Sequence, residues 1–226
     1  PQKTCPPTSP RWIRSNTKTK KKAYHTMGQS DKLAEYRRKR DFHLTSEPSG
    51  KEKIDGRKKN QFVIQKHDAS NLHYDLRLQV DDVFASWAVP KGPSLDPDDR
   101  QLAIRTEDHP LQYGNFEGVI EEGNYGAGTV MIWDRGSFTN LRAQKEEDGS
   151  SLKQSLKDGK VEVWLEGEKL EGGYVLIRTD QGEDEQWLLK KLKDEKADGR
   201  RKPVNSQPRS VESGRTLQEI KAEANA

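Results

Sequence analysis

Between Phe62 and Val89 apolar residues recur at every second position in successive runs, and this period of two constrains the fold more than any other feature of the 226-residue chain. Leu72, Tyr74, Leu76, Leu78 and Val80 alternate with His73, Asp75, Arg77 and Gln79; beyond Asp81-Asp82, the residues Val83, Ala85, Trp87 and Val89 resume the pattern. Successive side chains of a strand point to opposite faces, so each run predicts a strand with one apolar and one wet face, joined to the next by a tight turn at the aspartate pair. Phe62 and Ile64 begin the same pattern, and shorter strands are predicted at Leu102–Thr106, Thr129–Trp133, Lys160–Leu165, Gly173–Arg178 and Gln186–Lys191. Many short strands without long helices between them predict a mainly β fold, a sandwich or a barrel.

The apolar supply limits how much of the chain takes part. Only 30% of residues are hydrophobic while 34% are charged, a poor supply for a chain folded end to end. Residues 62–193 contain 48 of the apolar residues and the other 94 positions contain 20, which places the β core in 62–193. Before it, Ser30 or Asp31 is positioned to cap a short helix over Lys32–Arg40, with Leu33 and Tyr36 on one stripe. Residues 1–30 read as a disordered basic leader, 31–193 as the domain, and 194–226 as a charged, flexible tail with a frayed helix at Thr216–Ala224.

Charge and composition exclude several classes. Val130-Met131-Ile132-Trp133 is the longest unbroken apolar run, far short of the roughly 20 residues of a membrane span. No apolar segment follows the basic N-terminus as a secretory signal requires, and the single cysteine, Cys5, has no intrachain partner; the chain reads as cytoplasmic. The net charge of +3 divides into +11 over residues 1–61 and −8 over the rest. Lys18-Thr19-Lys20-Lys21-Lys22 and Arg37-Arg38-Lys39-Arg40 suit a phosphate backbone through counterion release, or serve as a solvated tail.

The predicted strand at 72–80 aligns His73, Asp75 and Arg77 on one face, with His67 six residues before His73. Two imidazoles and a carboxylate form a reasonable ligand set for manganese, iron or zinc, and the guanidinium suits a phosphate oxygen. His109, after a strand and before Pro110, is open to three roles: third metal ligand, phosphate contact or general acid. His73, Asp75 and His109 together also imitate the facial triad of iron oxygenases. The glycine-rich run Glu117–Gly128 lacks the Lys-Ser/Thr ending of a phosphate loop and reads as structural. Lys53-Ile54-Asp55-Gly56 fits a nucleotidyl-transferase pattern, but the charged residues before it deny it the strand it needs.

Several segments together resemble the 3′-phosphoesterase domain of DNA ligase D, the end-healing module of nonhomologous end joining. They are Arg40-Asp41-Phe42 with Thr45 and Glu47-Pro48; Phe62–Ser70 through Arg77-Leu78; Ser86–Pro93; Glu107–Leu111 with Tyr113; Phe116-Glu117-Gly118; Gly123–Gly128; and Trp133–Gly136. The resemblance spans about residues 35–192. It implies a compact closed β-barrel with a short N-terminal helix and disordered tails. It also implies a Mn2+-dependent hydrolase that removes a 3′-terminal ribonucleoside from a primer strand and then the resulting 3′-phosphate, leaving a 3′-OH. Carried onto this sequence, it makes His67, His73 and Asp75 metal ligands, puts Arg77, His109 and Tyr113 around the phosphate, and has Arg40, Asp41, Glu47 and Glu107 in support. One family position that can present a basic residue to phosphate is Gln101 here, with Arg100 just before it; either Arg100 substitutes or the grip on phosphate in that corner is weaker. The implied partners are DNA 3′ ends and a separate DNA ligase or end-joining factor, since the chain has no room for ligase and polymerase domains; no membrane is involved. A noncatalytic nucleic-acid-binding barrel is the alternative.

Overall fold

The alternating runs fold into a meander that closes on itself. The computed structural model describes residues 31–51, 60–145, 149–180, 182 and 184–226; the leader, the lysine run at 18–22, Cys5 and Lys53–Gly56 lie outside them. In chain order these residues form helix α1 (Ala34–Arg38), strands β1 (Gln61–Asp68), β2 (Leu72–Val80), β3 (Val83–Val89) and β4 (Gln101–Pro110), and a 3₁₀ turn (Leu111–Asn115). There follow β5 (Gly118–Ile120), β6 (Gly128–Asn140), helices α2 (Leu141–Lys145) and α3 (Leu152–Asp158), β7 (Lys160–Gly167), β8 (Glu171–Arg178), β9 (Gln186–Lys191), and helices α4 (Pro203–Ser206) and α5 (Leu217–Ala224).

All strand pairs are antiparallel, in the order β1-β2-β3-β4-β9-β8-β7-β6, and β6 returns to pair with β1, so eight strands close a barrel and β5 adds to the free edge of β6. Closure removes the exposed strand edges that an open sheet would leave for aggregation. β6 makes it possible: its 13 residues pair with β1 through Thr129–Ser137 and with β7 through Gly136–Asn140. The Asp81-Asp82 turn forms as its sequence predicts, with Val80 opposite Val83 and Asp81 at φ 58°, a left-handed conformation that aspartate tolerates better than most residues.

Each barrel strand contributes to one interior. Phe62, Leu76, Trp87, Ala103, Trp133, Val163, Leu176 and Leu189 are buried in a single cluster, with Trp87 and Trp187 packed edge to face at 5.7 Å. β4 and β6 run past their predicted ends at Thr106 and Trp133, because a charged or glycine-containing continuation (Glu107-Asp108-His109, Asp134-Arg135-Gly136) hides a period of two without preventing strand pairing. Asp134 exemplifies this: its buried carboxylate accepts the backbone N–H groups of Arg135, Glu168, Lys169 and Leu170, tying the β7–β8 turn to β6.

The C-terminal segment corrects the expectation of a flexible tail over 194–226. Leu217 and Ile220 on α5 are buried in the main core, Thr216 and Glu219 form a reciprocal capping box, and the Trp133 indole donates to the Gln207 carbonyl at 2.7 Å. Glu117 fastens the segment by accepting from Ile132 N, Ser210 Oγ, Ser213 Oγ and Arg215 Nη2. Apolar content averaged over 33 positions conceals two residues spaced i, i+3 that anchor a whole helix. Truncating Ile220 to alanine is expected to lower unfolding free energy by about 2–5 kcal/mol, the range for a buried isoleucine. An unchanged urea midpoint for Ile220→Ala would mean that α5 is not part of the cooperative core.

Candidate active site

The register of β1 against β2 builds the site. His67 lies directly opposite His73, Gln65 opposite Asp75 and Val63 opposite Arg77, so a residue that sequence spacing left apart joins the polar row of β2. The two imidazole rings are 4.8 Å apart. This face is not wet as predicted: Asp75 is 7% exposed and Arg77 2%. Helix α1 and the 3₁₀ turn cover it, with Leu33, Tyr36, Val83 and Tyr113 forming a second apolar cluster against which Phe42 and Phe116 pack. The period of two locates the face but carries no information about what lies over it.

The hydrogen bonds of the two histidines select which nitrogen is left free. His67 Nε2–H donates to the Gly126 carbonyl at 2.9 Å, and His73 Nδ1–H donates to the Asn71 carbonyl at 2.8 Å. The lone pairs therefore sit on His67 Nδ1 and His73 Nε2, which lie 3.8 Å and 3.6 Å from the two carboxylate oxygens of Asp75. Metal-bound histidines are commonly oriented in this way, the second ring nitrogen donating to a carbonyl. One donor atom from each of the three residues lies within 4.8 Å of the others, so a mixed nitrogen and oxygen set fits a divalent transition metal. Burial alone would raise the Asp75 pKa, but the Arg77 guanidinium outweighs it and holds the carboxyl well below the usual carboxylate range.

Beside these donors is a guanidinium with one open position. Arg77 Nη2 donates to Asp75 at 3.0 Å and Nε to Gln65 Oε1 at 2.8 Å, while Nη1 is buried with no partner. Gln65, itself fully buried, spends its amide on the carbonyls of Tyr113 and Phe116, and the Tyr113 ring lies 4.7 Å beneath the guanidinium. Arg77 is thus fixed on three sides.

The N-terminal arm supplies the opposite wall. Arg40 Nε donates to Glu47 and Nη1 to Glu107, both at 2.9 Å, and its guanidinium stacks 4.0 Å from the Tyr36 ring. Glu47 also accepts from the Tyr113 hydroxyl at 2.9 Å, and Glu107 from Lys39 at 3.0 Å. Burial would raise the Glu107 pKa, but these bonds from Arg40 and Lys39 lower it. Burial raises that of Tyr113 well above its ordinary value, Glu47 adding to the effect. His109 Nδ1–H donates to the Glu107 carbonyl, and Nε2 accepts from Arg40 Nη2 at 3.4 Å; burial, then Arg77 and Arg40, lower its pKa well below the ordinary 6.5, so the ring is neutral. With Nε2 turned to Arg40, His109 stands outside the ligand group of His67, His73 and Asp75, and the oxygenase-like triad through His109 does not form.

Asp41 stays away from the pocket, and so does the corner of Arg100 and Gln101. Asp41 is exposed and accepts from the His43 backbone N–H of its own turn. Gln101 begins β4 opposite Leu189, six residues and about 20 Å of strand from Glu107, and Arg100 beside it is exposed, so neither completes this pocket. Sequence reasoning overlooked Gln65, Lys39, Tyr125 and the Gly126 carbonyl. Gly126 sits at φ 77° in the turn that delivers its carbonyl to His67, and a Cβ on Gly128 would lie 2.3 Å from the Asp68 carbonyl; a glycine-rich run that looked purely structural also orients the His67 ring. Arg40, His67, His73, Asp75, Arg77, Glu107, His109, Tyr113, Tyr125 and Gly126 are among the residues that line a pocket of about 210 Å³.

Residues 65–178 match the family of the DNA Ligase D 3'-phosphoesterase domain. The chain is 49% identical over 195 residues to the multifunctional non-homologous end joining protein LigD of Pseudomonas aeruginosa, an alignment covering 84% of this chain and 22% of that protein. It is 43% identical over 167 residues to the multifunctional non-homologous end joining DNA repair protein LigD of Mycobacterium tuberculosis, covering 74% and 20% respectively. The chain therefore spans about a fifth of the length of the curated relatives it matches.

Removing Glu47 would leave Arg40 short of one carboxylate and the Tyr113 hydroxyl without its acceptor. Glu47→Ala is expected to destabilise by about 3 kcal/mol or more, as for a broken buried ion pair, read as a lower urea midpoint. A midpoint equal to that of the unaltered protein would show that Arg40 does not depend on Glu47.

Proposed function

This chain belongs to the DNA ligase D 3′-phosphoesterase domain family, and from that premise we propose that it heals DNA 3′ ends with the help of manganese. It removes a 3′-terminal ribonucleoside from a primer strand, then the 3′-phosphate left behind, and hands a 3′-OH to a DNA ligase or end-joining partner. One observation carries this reading: two preset imidazole lone pairs and a carboxylate converge beside the open Nη1 of Arg77.

His67 Nδ1, His73 Nε2 and Asp75 would hold the ion; when bound, it supplies Lewis acidity at a phosphoryl oxygen and eases deprotonation of water. The remaining steps belong to the protein. Lys39, Arg40 and Arg77 are balanced by Asp75, Glu47 and Glu107, so the protein charge near the pocket is close to zero and the added dication makes it attractive to phosphate. Arg77 offers Nη1 to a nonbridging oxygen without reorganising, because Gln65, Asp75 and Tyr113 already fix it; donors aimed in advance at developing charge are the costliest to lose. A neutral, buried His109 favours charge stabilisation over proton delivery: its Nε2 directs Arg40 Nη2 toward the pocket. Tyr113, its hydroxyl committed to Glu47, shapes the floor beneath Arg77.

The test is incubation with a primer-template ending in one ribonucleotide. Manganese should yield first the 3′-phosphate and then the 3′-OH strand. Arg77→Ala and His109→Ala should bind manganese almost normally while turnover falls by about 100-fold or more. Absence of metal-dependent release would favour a noncatalytic DNA-binding barrel, and an unchanged rate in either variant would remove that residue from the mechanism.

A further inference from the structure

Strand β4 carries an irregularity that changes which of its side chains reach the pocket. Across β3, Phe84 pairs with His109 but Ser86 pairs with Thr106, so three steps on β4 oppose two on β3. In a regular strand, residues three apart point to opposite faces; the extra residue of a bulge returns both to the same face. Thr106 and His109 accordingly both line the pocket.

Thr106 also continues a row across three strands, Arg77 opposite Ser86 and Ser86 opposite Thr106. Ser86 in the middle is small, fully buried, and turns its hydroxyl back to the Phe84 carbonyl. The row therefore has a low centre between two polar ends. At one end is the unpartnered Arg77 Nη1; at the other, the Thr106 hydroxyl oxygen is likewise buried with no hydrogen-bond partner. The Thr106 backbone carbonyl, by contrast, is already engaged by Arg105. Among the described residues six buried side-chain atoms lack a partner, and the two of them that border this pocket belong to Arg77 and Thr106. Buried polar groups are rarely left unpaired, and a pair of donors facing one recess calls for an acceptor placed between them.

We propose that Thr106 is a phosphate-binding residue: its hydroxyl donates to a nonbridging oxygen of the 3′-phosphate whose neighbouring oxygen is held by Arg77 Nη1. This rests on the phosphoesterase reading and adds to it a contact supplied by the β4 bulge. A threonine can donate to phosphate without adding charge, which suits a pocket whose ionic groups are already balanced.

The experiment compares two DNA strands, identical except that one ends in 3′-phosphate and the other in 3′-OH, binding the full chain in EDTA so that no cleavage occurs. The ratio of the two affinities isolates the contact with phosphate. Thr106→Val, which preserves side-chain shape, should reduce the preference for the phosphate strand about tenfold, the effect of losing a hydrogen bond to a charged group. It should leave affinity for the 3′-OH strand unchanged, and Thr106→Ser should restore the preference. An undiminished preference in Thr106→Val would overturn the proposal, as would equal weakening on both strands, which marks a structural role. Absence of any preference in the unaltered protein would overturn it too; whether that protein still hydrolyses the phosphate strand in manganese then decides separately whether the phosphoesterase reading stands.

Discussion

The burial of charge on the outer face of β1 and β2 is the constraint around which the rest of the molecule is arranged. Asp75, Arg77, Arg40, Glu47 and Glu107 are withdrawn from water within a few ångströms of one another. Desolvating an ion costs several kcal/mol even in a relaxed protein, and removing one partner is worse than removing both. Such a cluster persists only if every charge is answered. Here each guanidinium has at least one carboxylate, each carboxylate has at least one guanidinium, and the aromatic rings of Tyr36 and Tyr113 lie against the two arginines. The barrel interior stabilises the fold, and part of that stability holds this charged layer in place.

The covering elements follow from this requirement. Helix α1 is only five residues long and would not persist alone in water. It is held because Leu33 and Tyr36 pack beneath it, the Tyr36 hydroxyl donates to the Pro48 carbonyl at 2.7 Å, and Arg40 at its end enters the charged layer. The arm and the site therefore fold together: the helix is docked by an arginine that also lines the pocket.

The barrel was legible in the sequence because its inner face is apolar at every second position, and part of the candidate site was legible because His73, Asp75 and Arg77 keep that period on the other face. What remained hidden depended on partners distant in the chain. Burial of the polar face is decided by Tyr36 and Tyr113, neither of which belongs to the strand. The tautomers of His67 and His73 are set by the carbonyls of Gly126 and Asn71, which carry no side-chain signal. Thr106 was invisible because the β4 bulge breaks the spacing by which strand neighbours are recognised. Leu217 and Ile220 were lost in a charged context. Asp41 illustrates the opposite error: adjacency to Arg40 in the chain is not adjacency in the pocket, since the chain turns outward after α1.

On the proposed reading, the histidine tautomers preset one metal position before any metal arrives. Anomalous diffraction at the manganese edge from manganese-soaked crystals tests it directly. A single strong peak is expected at about 2.0–2.3 Å from His67 Nδ1, His73 Nε2 and an Asp75 carboxylate oxygen, a usual range for transition-metal coordination, with the Gly126 and Asn71 carbonyls still bonded to the other ring nitrogens. A peak on His67 Nε2 or His73 Nδ1, or one that includes His109 among its ligands, would contradict it.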